Sequence, residues 1–483
     1  MKLEALLSGV EVKFSSVGLN KEITALTMHS QKVEYGSMFF AIIGINSDGN
    51  NYINEVTKCG GVVVTDKPTA TEIPHILVAN VREAMGIISA NFYGNCYKNM
   101  HFVGIVGTNG KTTTSYIIQQ ILRGAGIKAV VFGTLGCNMS GEVVDYGLTS
   151  PDAIDLHCLL QKAYANGITN VVIEVSAHAI YHKKMHPICV DIAVFTNLSQ
   201  DHLDFFGSMD KYSACKKRFF TKECCKVGVV NADDKVGKEI MDESNINIIT
   251  YGIENPSDCF AMDIVENNDG CNYIININDE ISEITSNLFG TFNIYNTLGA
   301  IATCRAMGVK MEDIVNVIAQ TEQIDGRFNI LDAHCRIVID FAHTPDGMAN
   351  LLRVARTICK GDLIVVFGCG GNRDKGKRPI MGAIAAEYAD FAVITSDNCR
   401  YEDPFSIIED IVVGVKNSSS STKYICIVDR KEAISHAMAI AKTDDVIVVC
   451  GKGGENYIEE KGIKKPYSDK KVVEEVIRRC ASE

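Results

Sequence analysis

The stretch Phe102-Val103-Gly104-Ile105-Val106-Gly107-Thr108-Asn109-Gly110-Lys111-Thr112-Thr113 decides how this chain folds. An apolar run ends in a turn bracketed by glycines. A Lys-Thr pair then opens a helical pattern carried by Tyr116, Ile117, Ile118, Ile121 and Leu122 and closed at Gly124. Strand, Gly-rich turn and helix in that order gather backbone N–H groups and the positive end of a helix dipole around an anion. Lys111 can reach the outer phosphates of a nucleotide, and the Thr112 hydroxyl can ligate magnesium. Only Thr108 and Asn109 separate the two glycines, a shorter loop than the common phosphate cradle. A plain strand-to-helix turn capped by Asn or Thr is the structural alternative. The flanking strand and helix favour ATP, held by Gly107, Thr108, Asn109, Gly110, Lys111, Thr112 and Thr113.

Outward from this loop the chain alternates strand-like and helix-like patterns. Phe102–Val106, Asn170–Val175, Ile192–Thr196 and Lys226–Asn231 read as strands of a mostly parallel sheet with helices on both faces. A second alternation begins near residue 331, with strands at Arg336–Phe341, Asp362–Phe367, Phe391–Thr395 and Asp445–Cys450. Short apolar runs at Ser37–Ile43, Gly61–Thr65 and Ile76–Val78 mark a small α/β unit before residue 98. The expected fold is α/β in three domains: a small N-terminal α/β domain (1–98), a central P-loop domain with a doubly wound sheet (99–330) and a C-terminal Rossmann-like domain (331–483). The chain's 483 residues suit three domains at about 150 residues each. The polar run Asn417–Thr422 reads as an exposed loop.

A formal net charge of −12 argues against nonspecific binding to nucleic acid or anionic membranes, which needs a basic surface. None of the 18 cysteines forms a Cys-x-x-Cys pair, and many stand in apolar contexts. Free thiols in a reducing cytoplasm explain them better than disulfides or zinc. No signal peptide and no membrane-spanning run is legible, so a cytoplasmic location is expected.

Two further motifs follow strands of the central unit. Ile173-Glu174-Val175-Ser176-Ala177-His178 and Thr196-Asn197-Leu198-Ser199-Gln200-Asp201-His202-Leu203-Asp204 each put an acid and a histidine at a strand end. Ligands of such sheets bind there, and a magnesium between phosphate and substrate would sit there too. Each motif alone is compatible with a capped or solvated residue. Tyr212-Ser213-Ala214-Cys215-Lys216-Lys217-Arg218 follows as a short basic helical stretch, with a solvated cationic face as the plain reading.

GTNGKTT, EVSAHA, TNLSQDHLD, YSACK, LFGTFNIYN (288–296), IDFAHTPD (339–346) and FGCGGNRDKGKRP (367–379) occur in that order, and the whole chain resembles the Mur ligase family. Its motif set is most like the branch adding the third residue of the peptidoglycan stem peptide. The resemblance implies an ATP-dependent amide ligase working through an acyl phosphate, with small-molecule partners and no nucleic acid or membrane, as a monomer. It implies that Lys111 serves the phosphates and that Thr112, Glu174 and His202 hold magnesium. Lys216 matches a lysine that becomes carbamylated and helps hold a second magnesium. A buried amine near other cations has a lowered pKa and can capture carbon dioxide, and the carbamate is a hard oxygen ligand. Asn293, Asn296, Arg327 and Asp340 match ATP-contacting positions.

On the acceptor side, Ser30, Asn46, Thr149, Ser150, Ser176, His182 and Lys184 match contacts to a UDP-muramoyl dipeptide. Ser150 followed by Pro151 also reads as a helix N-cap with proline at the first helical position. On the amino-acid side, Asp397-Asn398-Cys399-Arg400 stands for the family's Asp-Asn-Pro-Arg. Arg378, Gly451 and Glu455 match further contacts there. An arginine at position 400 suits the second carboxylate of diaminopimelate, since a guanidinium binds carboxylate with two parallel hydrogen bonds. The chain departs from the family at His29, Gln31, Ile45, Asn46, His182, Lys184, Gln200, Cys399 and Gly454, mostly on the acceptor side. Addition of lysine, or action on a modified acceptor, therefore stays open. A folylpolyglutamate-synthetase-like activity fits the first domain and the Asp397-Asn398-Cys399-Arg400 motif poorly, nothing basic or repetitive marks the surface a partner-coupled P-loop ATPase would use, and Lys111, Glu174, His202 and Lys216 argue against a nucleotide-binding protein without catalysis.

Overall fold

The computed structural model describes residues 1–44, 47–70, 73–139, 142–267, 269–420 and 422–480. Asn46 and Ile45, expected near the uridine, and Ser421 of the polar loop lie outside them. Among the described residues three large sheets organise the chain, with the two-stranded ribbon Tyr457–Glu460 and Ile463–Pro466 beside them. The first has five strands in the order Val12–Ser15, His75–Val78, Val62–Thr65, Ser37–Phe40 and Ala25–Thr27, parallel except for the first.

The central sheet has eleven strands. Its parallel body runs Ala129–Gly133, Asn170–Glu174, His101–Val106, Val190–Phe195, Cys225–Asn231, Asn247–Gly252 and Cys259–Asn267. The inner segments, from Ala129–Gly133 to Cys225–Asn231, are rich in Val and Ile because helices cover both faces, and a strand buried on both sides has no polar face to alternate. Separate apolar clusters fill the two faces. The strand His101–Val106 pairs with Asn170–Glu174 on one side and Val190–Phe195 on the other, so the loop after it opens where the winding reverses.

The sheet is less purely parallel than expected. Gly136–Met139 and Glu142–Val144 extend one edge antiparallel, and Gly270–Ile277 and Glu280–Ser286 extend the other. The second arm alternates buried and exposed residues because only one of its faces meets the core. Asn278 and Asp279, both at positive φ (51° and 65°), close its hairpin.

The third sheet runs Asn329–Asp332, Arg336–Asp340, Val446–Cys450, Leu363–Phe367, Phe391–Ile394 and Lys423–Cys426, parallel after the first strand. Ala153 and Ile154, at the start of the helix Ala153–Ala165, belong to the core of the first sheet. A Cβ on Gly86 would lie 2.0 Å from the His186 carbonyl, so the helix Val81–Phe92 packs directly on the central unit.

Two local expectations are corrected. Ser150 is not a helix cap: the helix begins at Ala153 with Asp152 as its N-cap residue. The Ser150 hydroxyl instead donates to the Glu174 carbonyl at 2.8 Å and accepts from the Ser176 N–H at 3.0 Å. Nor is the helix Met209–Lys217 simply a solvated cationic surface. Lys217 pairs outward with Glu239 and Glu243, but Lys216 points inward and is 1% exposed.

Candidate active site

The phosphate loop needs both of its glycines. A Cβ on Gly107 would lie 1.8 Å from Thr196 Oγ1, and one on Gly110 2.2 Å from Asn296 Oδ1. Gly110 also holds φ +84°, where a side chain is strained. Asn296 is fixed by donating to Asn293 Oδ1 at 3.1 Å, and Asn293 donates to the Phe289 carbonyl at 2.9 Å. Lys111 folds back on its own loop and donates to the Gly107 and Thr108 carbonyls at 3.0 and 2.8 Å. Burial lowers its pKa, against the opposing pull of Glu174 and Asp201.

Glu174 is fully buried at the end of its strand. Its carboxylate accepts from the Thr112 hydroxyl at 3.0 Å and the Thr134 N–H at 3.0 Å. Arg327 donates to Thr112 Oγ1 at 2.8 Å, and its guanidinium lies 4.3 Å from the centre of the Phe341 ring. Asp340 accepts from the Phe328 and Ala342 N–H groups, both at 2.7 Å. Burial raises its pKa while Arg327 opposes the rise. Thr134 joins this cluster to Thr149 at 3.3 Å, and Ser150 joins it to Ser176 at 3.2 Å.

Asp201 was quoted in the sequence without a role, yet much of the site turns on it. It is 7% exposed and faces His202 at 3.4 Å, His343 at 3.5 Å and Lys377 at 3.8 Å. Burial alone would raise its pKa, but the His343 hydrogen bond and the surrounding cations hold it well below the carboxylate range. Burial pushes the pKa of His202 down to about 3, which leaves a neutral imidazole with a lone pair for a ligand. Lys216 lies with its ammonium 4.6 Å from the Tyr212 ring centre, and burial together with the Lys111 charge lowers its pKa far below the ordinary value. Among the described residues the Lys216 ammonium has no ion pair or hydrogen bond. No three His, Cys, Asp or Glu side chains among the described residues form a ready metal cage.

Toward the first sheet, Lys184 pairs with Asp152 at 3.1 Å, and the pKa of His182 falls to about 4 through burial and the nearby Arg82 and Lys184 charges. Arg82 donates to the Ile43 carbonyl at 2.9 Å, beside the loop expected to meet the nucleotide of the acceptor. Ser30 opens a short turn, Ser30–Lys32; burial and Asp152 raise the pKa of Asp155, and Lys32, His29 and Lys184 oppose the rise. Gln200 donates to Asp374 Oδ2 at 2.9 Å across to the third sheet.

The expected amino-acid residues gather at the carboxyl ends of the third sheet. Asn398 donates to Glu455 Oε2 at 2.9 Å and accepts from Lys452 Nζ at 3.1 Å and the Glu459 N–H at 2.9 Å. Lys452 is fully buried between Glu455 (2.7 Å) and Asp397 (3.9 Å). Arg400, at φ +51°, donates to the Gly371 carbonyl at 2.8 Å and faces Glu459 at 3.4 Å. Gly451 follows the strand Val446–Cys450, and a Cβ there would meet Asp397 Oδ2 at 2.8 Å.

Arg378 does not join this group as a free carboxylate binder. Its guanidinium is 0% exposed and is taken by Glu402 at 3.0 Å and Asp410 at 2.9 Å. Arg373 is the arginine that faces Arg400: burial and the Arg400 charge lower its pKa, and it lies 3.8 Å from Asp204. Gly454 and Glu455 border a cleft of about 510 Å³ that continues past Leu135, Thr149 and Tyr457. Sequence reading missed Asp201, His343, Lys377, Arg373 and Lys452 as site residues. Four of them stand inside quoted motifs, and Lys452 follows a strand end beside Gly451.

Residues 105–304 match the model of the Mur ligase middle domain, and residues 326–453 that of the Mur ligase glutamate ligase domain. A UDP-N-acetylmuramoyl-L-alanyl-D-glutamate–2,6-diaminopimelate ligase of Bacillus cereus is 39% identical over 448 residues, 91% of this chain and 90% of that protein. The enzyme of the same name from Aquifex aeolicus is 39% identical over 459 residues, covering 95% and 94%. A solved structure of a ligase bearing that name superposes with a TM-score of 0.69 at 27% identity over 100% of this chain and 99% of that one. The MurF ligase of Thermotoga maritima in complex with ADP shares the fold, with a TM-score of 0.65 at 19% identity over 95% and 97%.

Proposed function

From the premise that this chain belongs to the Mur ligase family, we propose that it joins 2,6-diaminopimelate to UDP-N-acetylmuramoyl-L-alanyl-D-glutamate at the expense of ATP, in peptidoglycan precursor synthesis. Arg400 and Arg373 both approach Gly370, where a Cβ would meet them at 2.9 and 3.7 Å, and with Glu455, held by Asn398, they carry the choice of amino acid. Diaminopimelate ends in a carboxylate and an ammonium, so its pocket needs cationic and anionic walls together. Family membership also displaces the reading as an ATPase coupled to a protein partner.

The residues divide the work. Lys111 leaves the carbonyls of its loop and turns to the outer phosphates of ATP. The acceptor carboxylate attacks the γ-phosphorus, the bond to ADP breaks, and an acyl phosphate results. The free amine of diaminopimelate then attacks the acyl carbon, and the tetrahedral intermediate expels phosphate to leave the amide, with the amine proton lost. Arg327 and Lys111 offset charge on the transferring group. Thr149, Ser150, Ser176 and Lys184 orient the acceptor, and Ser30 lies toward its uridine. Asn293, Asn296 and Asp340 shape the nucleotide end.

Thr112, Glu174 and His202 would hold magnesium, and Lys216 would do so as its carbamate. A buried carboxylate, a hydroxyl, a neutral imidazole and an amine depleted of its proton suit that ion, which keeps waters and phosphate oxygens in its shell and needs no protein cage. Bound there, magnesium would neutralise phosphate charge. We place the boundaries of three domains near residues 98 and 330 and take the enzyme to be a cytoplasmic monomer, in keeping with its free thiols. No described helix is long and apolar enough to cross a membrane.

The test is phosphate release with ATP, magnesium and the UDP-dipeptide, comparing meso- and LL-diaminopimelate, L-lysine and no amino acid. Turnover with a diaminopimelate isomer only is the expected result. Turnover with lysine alone would remove the arginine argument. ATP binding without turnover would favour a modified acceptor, the reading to which the His182, Lys184 and Gln200 departures point.

A further inference from the structure

Behind the amino-acid pocket lies a buried charge pair that the chemistry above does not use. Arg430 opens the helix Arg430–Ile440 and Asp469 opens the helix Asp469–Cys480, and both side chains are fully excluded from solvent. Nε and Nη2 of Arg430 each meet a carboxylate oxygen of Asp469 at 2.8 Å. Nη2 also donates to the Cys450 carbonyl at 2.9 Å, and Nη1 reaches the Ser396 carbonyl at 3.4 Å. Those carbonyls belong to the residues immediately before Gly451 and Asp397. One guanidinium thus ties together the two chain segments that deliver the pocket.

Burying an ion pair is seldom a net gain in stability, since desolvation offsets most of the attraction and apolar replacements are often as stable. What the pair contributes here is geometry. Gly451 and Asp397 pack so closely that a Cβ on the glycine would stand 2.8 Å from the carboxylate. From Asp397 the contacts run on through Lys452 to Asn398 and Glu455. A small shift of either segment therefore moves the whole pocket wall.

We infer that Arg430, held by Asp469, is a positioning device for the amino-acid pocket, fixing the segments before Asp397 and Gly451 in register so that the diamino acid is bound in place. The inference rests on the reading of that pocket given above.

The experiment uses the full chain with three variants: Arg430→Lys, the double variant Arg430→Met/Asp469→Leu, and Ile434→Val. Ile434 is a buried residue of the same helix, and the loss of one methylene there lowers the thermal midpoint by a few degrees without touching the polar network. Thermal midpoints and the KM of each substrate are measured. The first two variants should raise the KM for diaminopimelate roughly ten-fold or more, with kcat and the KM values for ATP and UDP-dipeptide essentially unmoved. Ile434→Val should leave every kinetic constant unmoved while lowering the thermal midpoint. A diaminopimelate KM equal to wild type in Arg430→Lys overturns the inference, and this variant decides the matter if the double variant does not fold. Where the wild type binds ATP but turns over no diamino acid, calorimetric titration with diaminopimelate takes the place of KM, and a wild type that binds none overturns the reading of the pocket and the inference with it. Wild-type turnover with an unmoved KM overturns the inference alone.

Discussion

Lys216 shows how much one side chain's surroundings can decide. A lysine without an ion pair among the described residues, buried beside a second cation whose effect outweighs the pull of Asp201 and Asp234, is a poor ammonium and a good nucleophile toward carbon dioxide. Replacing it with alanine should lower kcat by about 10²-fold or more while ATP still binds. Added acetate should restore part of the rate if a carboxylate-like oxygen is what the site lost. Full activity of Lys216→Ala would remove the carbamate from the mechanism. Arg373 and Arg378 make a second contrast. Arg373→Ala and Arg400→Ala should each raise the diaminopimelate KM by roughly 10- to 100-fold, the worth of a charged hydrogen bond, with little change in thermal midpoint. Arg378→Ala should instead strip Glu402 of its main partner and cost about 3 kcal/mol of stability, visible in denaturant titration. The sequence could not separate these two arginines. They stand five residues apart in one motif, and only the helix Lys377–Tyr388 turns Arg378 toward Glu402 and Asp410 while Arg373 stays in the loop before it.

At the scale of elements, the phosphate loop was legible because its chemistry is local: glycines, a lysine, a threonine and the strand and helix around them. Gly110→Ala should weaken ATP binding by at least ten-fold and lower stability by about 1–3 kcal/mol, because the left-handed backbone and the Asn296 contact both refuse a methyl group. Calorimetric titration with ATP checks this, and unchanged affinity would mean the loop rearranges on binding. The parallel strands nearest the phosphate loop were legible for the same reason, being Val/Ile runs, whereas Ala129–Gly133, Asn247–Gly252 and Cys259–Asn267 of the same sheet were not read as strands. The antiparallel arm, residues 270–286, was not legible: its first strand alternates, but residues 280–283 of the second carry no inward apolar face, and the pairing is set by a neighbouring strand. The role of Ser150 was hidden too. Its local pattern is that of a cap, and the partner that claims its hydroxyl is Glu174, 24 residues away.

At the scale of the whole molecule, stability should fall in acid. Burial pushes His157 and His202 down to about 4 and about 3 from an unfolded value of 6.5. Below pH 6.5 the unfolded chain takes up protons that the folded one refuses. Stability is therefore complete above that pH and falls as the pH drops toward 4, by about 1.4 kcal/mol per pH unit for each histidine. Denaturant midpoints between pH 7 and 4.5 measure the slope, and a flat profile would show that these imidazoles are charged in the native state.

The seam between the central and third sheets is uneven. At one edge Phe289 stacks on Phe328 at 5.4 Å and Phe292 packs beside them against the third-sheet core. At the other, Asn109 meets Asp346 at 3.1 Å, Gln200 meets Asp374 at 2.9 Å and Arg373 meets Asp204 at 3.8 Å. The greasy edge holds in water, and the polar edge can trade its partners for solvent. Such a joint gives way on one side only, and that side borders the nucleotide and the amino acid alike. Opening along the polar edge would widen the approach to the phosphate loop, and a motion of that kind, rather than bond making, sets the pace in many enzymes that close around their ligands.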